Sequence, residues 1–89
     1  MDDSTYDPQA GTRFATTRWR EGYDVASVDA FVARAERAVS MRDRSVTARE
    51  VERVRFAPVR LRTGYDMGDV DTHLARLSEE LRAIEGVGD

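Results

Sequence analysis

Apolar residues fall at alternating steps of four and three in two stretches of the chain: Val28, Val32, Ala35, Val39, and again Val70, Leu74, Leu77, Leu81, Ile84. Such spacing lines one stripe of a helix, the seam of a coiled-coil-like helix pair. Arg34, Glu36 and Arg37 in the first stretch, and Arg76, Glu79 and Glu80 in the second, occupy the other faces. The pattern predicts helices near 25–42 and 67–84. An acid precedes each, Asp24 or Asp66, placed to accept bonds from the free N–H groups of the first turn. Asp69 adds negative charge where the helix dipole favours it. Gly86-Val87-Gly88 supplies a stop signal for the second helix. Between the two, Thr47-Ala48-Arg49-Glu50 reads as a capping box opening a short helix over 47–54, which Val46, Val51 and Val54 would dock on the seam. Pro58 ends that region by disfavouring a helical Ala57.

The two periodic stretches belong to a longer repeat. Residues 14–40 and 56–82 share eleven identities at a constant offset of 42 without a gap, running from Phe14-Ala15 with Phe56-Ala57 to Ala33-Arg34 with Ala75-Arg76. Internal similarity of this kind marks a duplicated supersecondary unit. Each copy reads as a loop, a glycine turn (Gly22, Gly64), a Tyr-Asp pair (Tyr23-Asp24, Tyr65-Asp66) and a helix. A glycine in the turn makes a positive φ inexpensive. The expected fold is therefore all-α: two main helices related by internal pseudo-symmetry, with the short 47–54 helix carrying the chain back between them. The domain spans 13–85 as repeats 14–44 and 46–85, after an acidic, flexible stretch over 1–12. The seams can close within one chain or between two.

Composition narrows the function. At 89 residues the chain makes one small core, and homo-oligomerisation is a common way to enlarge such a core. It has no cysteine and a single histidine, His73, so neither a thiol nucleophile nor a structural zinc site is expected, and no cofactor. No apolar run approaches the roughly 20 residues that span a bilayer. Met1-Asp2-Asp3-Ser4 does not resemble a signal peptide, so the expected location is the cytoplasm. The net charge of -3 and the absence of a recognition helix argue against nucleic acid as a partner. All 14 basic residues are arginine, and they cluster before each helix as Arg18, Arg20 and Arg60, Arg62.

The string Arg-x-Gly-Tyr-Asp-x-x-x-Val-Asp, found at 20–29 and 62–71 with a phenylalanine shortly before each, resembles the N-terminal domain of the DivIVA family, bacterial scaffold proteins of cell division and polar growth. Residues 46–56 look like the short opening helix of that domain. The resemblance covers 14–40 and, more fully, 46–82. It implies a non-enzymatic, cytoplasmic, self-associating protein built on a parallel helix pair. It further implies that a loop carrying an exposed aromatic beside a basic residue touches the inner face of the cell membrane. Trp19-Arg20 and Leu61-Arg62 occupy that place here, although Glu21 follows the first and the second offers Leu61 instead of an aromatic.

These readings define the candidate residues. Arg18, Trp19, Arg20, Arg60, Leu61 and Arg62 form a surface for an anionic membrane or an acidic partner, where each charge near lipid contributes about 1 kcal/mol. The competing reading makes Trp19 a cover for one end of the core and pairs the arginines with neighbouring acids. The seam residues Val28, Val32, Ala35, Val39, Val70, Leu74, Leu77, Leu81 and Ile84 serve folding or self-association, with a homodimer or another protein as partner. Gly22, Tyr23, Asp24, Gly64, Tyr65 and Asp66 have structural roles, since no base or nucleophile accompanies them. Asp29 and Asp71 lie one turn into the helices, placed either to pair with an arginine of the opposite loop, such as Arg18 or Arg60, or to stay solvated where the helix dipole favours an acid. The second copy, with its opening helix and Leu/Ile seam, is expected to carry folding, and the first copy recognition through Trp19. The alternative function is a helical partner-binding module with no membrane role.

Overall fold

The computed structural model describes residues 13–87. The expected flexible stretch 1–12 lies outside them. Three helices form: α1 (Val25–Met41), α2 (Ala48–Arg53) and α3 (Met67–Val87). Asp24 caps α1 by accepting from the Ser27 amide at 3.0 Å, and Asp66 caps α3 by accepting from the Asp69 amide at 3.0 Å. Thr47 caps α2 through the Glu50 amide at 3.1 Å. At the other end of α1, Arg42 turns left-handed (φ 53°) and its amide closes on the carbonyls of Ala38 and Val39. α3 runs through Gly86 to Val87, about one turn beyond the expected stop, because an exposed glycine alone does not break a helix held by Leu81 and Ile84.

The all-α expectation is overturned by a small antiparallel sheet. Its strands are β1 (Thr16–Thr17), β2 (Gly22–Tyr23), β3 (Pro58–Val59) and β4 (Gly64–Tyr65), in the order β1-β4-β2-β3. Strands of one copy pair only with strands of the other. Thr16 faces Tyr65 and Thr17 faces Gly64, while Tyr23 faces Pro58 and Gly22 faces Val59. Tyr23 also faces Tyr65 at the centre. Adding 42 to any residue of the first copy reproduces the same pairing from the second, so Tyr23–Tyr65 marks a local pseudo-twofold. Two flanking bonds obey it: the Asp24 amide donates to the Ala57 carbonyl at 2.9 Å and the Asp66 amide to the Ala15 carbonyl at 2.8 Å.

This arrangement explains the paired glycines differently from the turn reading. Neither has a positive φ. A Cβ on Gly22 would sit 2.7 Å from the Tyr65 carbonyl oxygen, and one on Gly64 would sit 2.6 Å from a Val59 methyl and 3.1 Å from the Tyr23 carbonyl oxygen. Two backbones cross at van der Waals distance on the pseudo-axis, and only a residue without a side chain fits.

From the sheet, α1 and α3 leave in the same sense, their far ends joined by Arg44 donating to the Glu85 carbonyl at 3.1 Å. Between them lies one core of Val28, Phe31, Val32, Ala35, Ala38, Val70, Leu77, Leu81 and Ile84, with Tyr65 and the α2 residues Ala48 and Val51. α2 returns toward the sheet, antiparallel to α3: Ala48 bonds Glu85 near the end of α3, and Glu52 pairs with Arg82 one turn earlier. The seams thus close within one chain, with Val39 and Leu74 at their half-buried margins. Burial on this scale contributes about 1.5–3 kcal/mol for each large aliphatic side chain removed from water.

Candidate functional site

β1 and β2 in the first copy, and β3 and β4 in the second, are each joined by a four-residue loop, 18–21 or 60–63. β1 and β2 flank β4, and β3 and β4 flank β2, so each loop spans a strand of the other copy. Interlocking brings the two loops together. Trp19, Arg20 and Glu21 line a recess of about 390 Å³ with Arg60 and Leu61. Leu61 holds its loop at a left-handed φ of 58°. Trp19 is 87% exposed and Leu61 80%, so the tryptophan covers no core and the two largest exposed apolar groups near the sheet stand side by side.

The arginines of the tips divide into two kinds. Arg20 reaches the cap of the opposite helix, donating to Asp66 at 2.6 Å, and Arg62 approaches Asp24 at 3.7 Å in the equivalent way. These pairs fix loop to helix across the pseudo-axis. Arg18 and Arg60 are exposed and have no ion-pair partner among the described residues. Among the described residues, then, neither of these two arginines is tied to an acid, and Arg60 shares the recess with Trp19 and Leu61.

The cap carboxylates are held below the usual range. At Asp66 the main cause is the bond from the Asp69 amide, followed by Arg20; at Asp24 it is the Ser27 hydroxyl, then the Ser27 amide. Beneath the loops, the tyrosines cross between copies. Tyr65 donates its hydroxyl to Asp29 at 2.6 Å, and Tyr23 donates to Asp71 at 3.0 Å. Asp29 and Asp71 thus meet the opposite tyrosine and not Arg18 or Arg60; Arg13 is the arginine near Asp29, at 3.6 Å. Burial, then the hydrogen bond to the aspartate, pushes both phenols up from 10. Phe14 packs edge-on against Tyr65 at 5.1 Å and Phe56 against Tyr23 at 5.5 Å. The structural role assigned to the Gly-Tyr-Asp motif is consistent with this geometry, but its cross-copy character was not visible in one copy alone.

His73 lies half-buried between Phe14, 5.3 Å away, and Glu36, whose carboxylate is 3.0 Å from Nε2. Among the described residues no cluster of His, Asp and Glu is arranged to hold a metal ion, and no helix is long and apolar enough to cross a membrane. No protein-family model, curated protein or solved structure matches the chain.

Proposed function

We propose that the chain is a non-enzymatic scaffold or adaptor domain of DivIVA type whose paired loop tips dock at an anionic membrane surface. The observation that carries this reading is the adjacency of Trp19 and Leu61, 87% and 80% exposed, with Arg60 in the same recess and Arg18 next to Trp19 in sequence, neither paired to an acid among the described residues. Tryptophan combines an apolar body with one polar N–H and suits the interface of a bilayer. The interlocked loops add rigidity, since their other arginines are tied to the helix caps. The family likeness rests on the motif repeated at 20–29 and 62–71.

A second reading, an adaptor for a protein partner with no membrane role, draws support from Glu21, which lines the same recess, opposes an anionic bilayer and is placed to pair with a basic side chain. Sedimentation with vesicles of phosphatidylglycerol and phosphatidylcholine separates the two. Recovery should fall with salt, and Trp19→Ala with Leu61→Ala should abolish it without loss of helicity. Replacing Arg18 and Arg60 by glutamine should weaken partitioning about 30-fold, at about 1 kcal/mol per charge. Failure of the native chain to bind such vesicles at low salt would leave only the protein-partner reading.

A further inference from the structure

The charges of α2 are sorted by direction. Toward α3 it presents Glu52, paired with Arg82; toward α1 it presents Glu50, which meets Arg34 at 3.3 Å. Its two arginines, Arg49 and Arg53, stand one turn apart. Together with Arg34 of α1 they line a recess of about 590 Å³, floored by Phe31 and Val54 and edged by Thr47. Three guanidinium groups thus share the recess with a single carboxylate, and Arg34 already uses it. Arg34 is also seated over the Phe31 ring, 5.7 Å from its centroid. Arg49 and Arg53 are exposed and meet no acid among the described residues.

Folding does not call for these two arginines. The segment is seated by Val46, Ala48 and Val51, all buried, and by the two ion pairs to α1 and α3. Like charges one helical turn apart repel each other. Arg49 also stands in the first turn of α2, where the peptide dipoles disfavour a cation. The chain therefore keeps two uncompensated charges against the stability of its shortest helix. A local choice that opposes folding is expected where a residue serves recognition.

We propose that this recess binds an acidic segment of a partner protein, an extended stretch with carboxylates at alternate positions. Alternate side chains of an extended strand point the same way and stand roughly 6.6 Å apart. Helix neighbours one turn apart are separated by about 5–6 Å at Cβ, so successive acids of such a segment can meet Arg49 and Arg53 in turn. Each guanidinium can hold a carboxylate through two parallel N–H bonds, and clusters of arginine serve acidic motifs in this way. No loop-tip residue lines the recess, so the site is independent of what the tips meet.

The probe is an end-blocked peptide, Gly-Glu-Ala-Glu-Ala-Glu-Gly, titrated at low salt into the isotope-labelled full chain and followed by amide and arginine side-chain shifts. Saturable changes centred on Arg34, Arg49, Arg53 and Val54 are expected, suppressed by added salt and absent for the peptide with glutamine in place of glutamate. Arg49→Gln should weaken binding about three- to fivefold, as for an exposed ion pair, and Arg49→Gln with Arg53→Gln should abolish it. The double variant should melt no lower than the native chain, because its repulsion is gone and the contacts of α2 remain. A lower melting temperature would show that the arginines hold α2 and would overturn the proposal. Absence of binding at millimolar peptide overturns it, as do changes centred on 18–21 and 60–63, which would move the acidic partner to the loop tips. Inorganic phosphate producing the same changes at the same concentration would make the recess a small-anion site, with no peptide preference. Binding seen only after removal of residues 1–12 would make that segment the occupant; either result likewise overturns the proposal.

Discussion

The two copies are held in one backbone symmetry but carry different side-chain loads. The first supplies a helix of 17 residues whose seam is Val32, Ala35 and Val39; the second supplies 21 residues with Leu74, Leu77, Leu81 and Ile84. Tyr65 is fully buried while its mate Tyr23 is only half-buried. α2 shields the side where Ser78 is buried, and Glu36 stands at the equivalent place on the open side, which no other described element covers. Both tips are exposed, but only the first carries tryptophan. Symmetry of the pairing is thus enforced by the close contacts at Gly22 and Gly64, and the freedom to diverge lies in the helices and loop tips.

Several substitutions press on that difference. Leu81→Ala removes a side chain 1% exposed in the covered seam and should cost about 3–4 kcal/mol in urea unfolding, whereas Val39→Ala, half-buried on the open side, should cost about 1 kcal/mol. Equal losses would erase the asymmetry. Next, Gly22→Ala drives a Cβ onto a backbone oxygen and is expected to destabilise by about 3 kcal/mol. Gly64→Ala meets chiefly the Val59 methyl, which can rotate, so thermal melts should show a smaller loss.

Tyrosine tests the same axis more gently. Tyr65→Phe leaves both Asp29 and the Arg13 amide without the hydroxyl they share, about 1–2 kcal/mol. Tyr23→Phe loses only the half-exposed bond to Asp71 and should fall below 1 kcal/mol. The smallest effects are electrostatic. Asp24 and Asp66 have depressed folded-state pKa values, so their stabilisation is present above the usual carboxylate range and is lost as pH falls through the folded values. The tyrosines are raised, so their contribution is present below 10 and is lost as pH rises through the folded values. Melting temperature against pH should therefore decline at both extremes, and Asp66→Asn should flatten the acid limb.

Much of this architecture was legible in the residues. The four-three seams placed both long helices, and Thr47 with Glu50 placed α2 and its cap. The sheet was not legible because each strand is two residues long, too short for any alternation, and every pair joins residues from different copies. A usable signal did exist. Gly-Tyr repeated at one constant offset means that identical residues meet if the copies pair about a twofold, and glycine at such a meeting point marks close backbone approach. The exposure of Trp19 was equally undecided by sequence, since a tryptophan serves a core and an interface alike. Interlocking of the loops, a property of both copies together, turns it outward.

The claim on which the rest depends is that the two copies pair with each other inside one chain. Isotope-filtered nuclear Overhauser spectra tell this directly, recorded on labelled and unlabelled chains unfolded together, mixed and refolded. Contacts between the Tyr23 and Tyr65 strands should appear within labelled chains and be absent from the filtered, between-chain spectrum. Strong Tyr23–Tyr65 contacts between labelled and unlabelled chains would contradict it, placing the pseudo-axis between molecules.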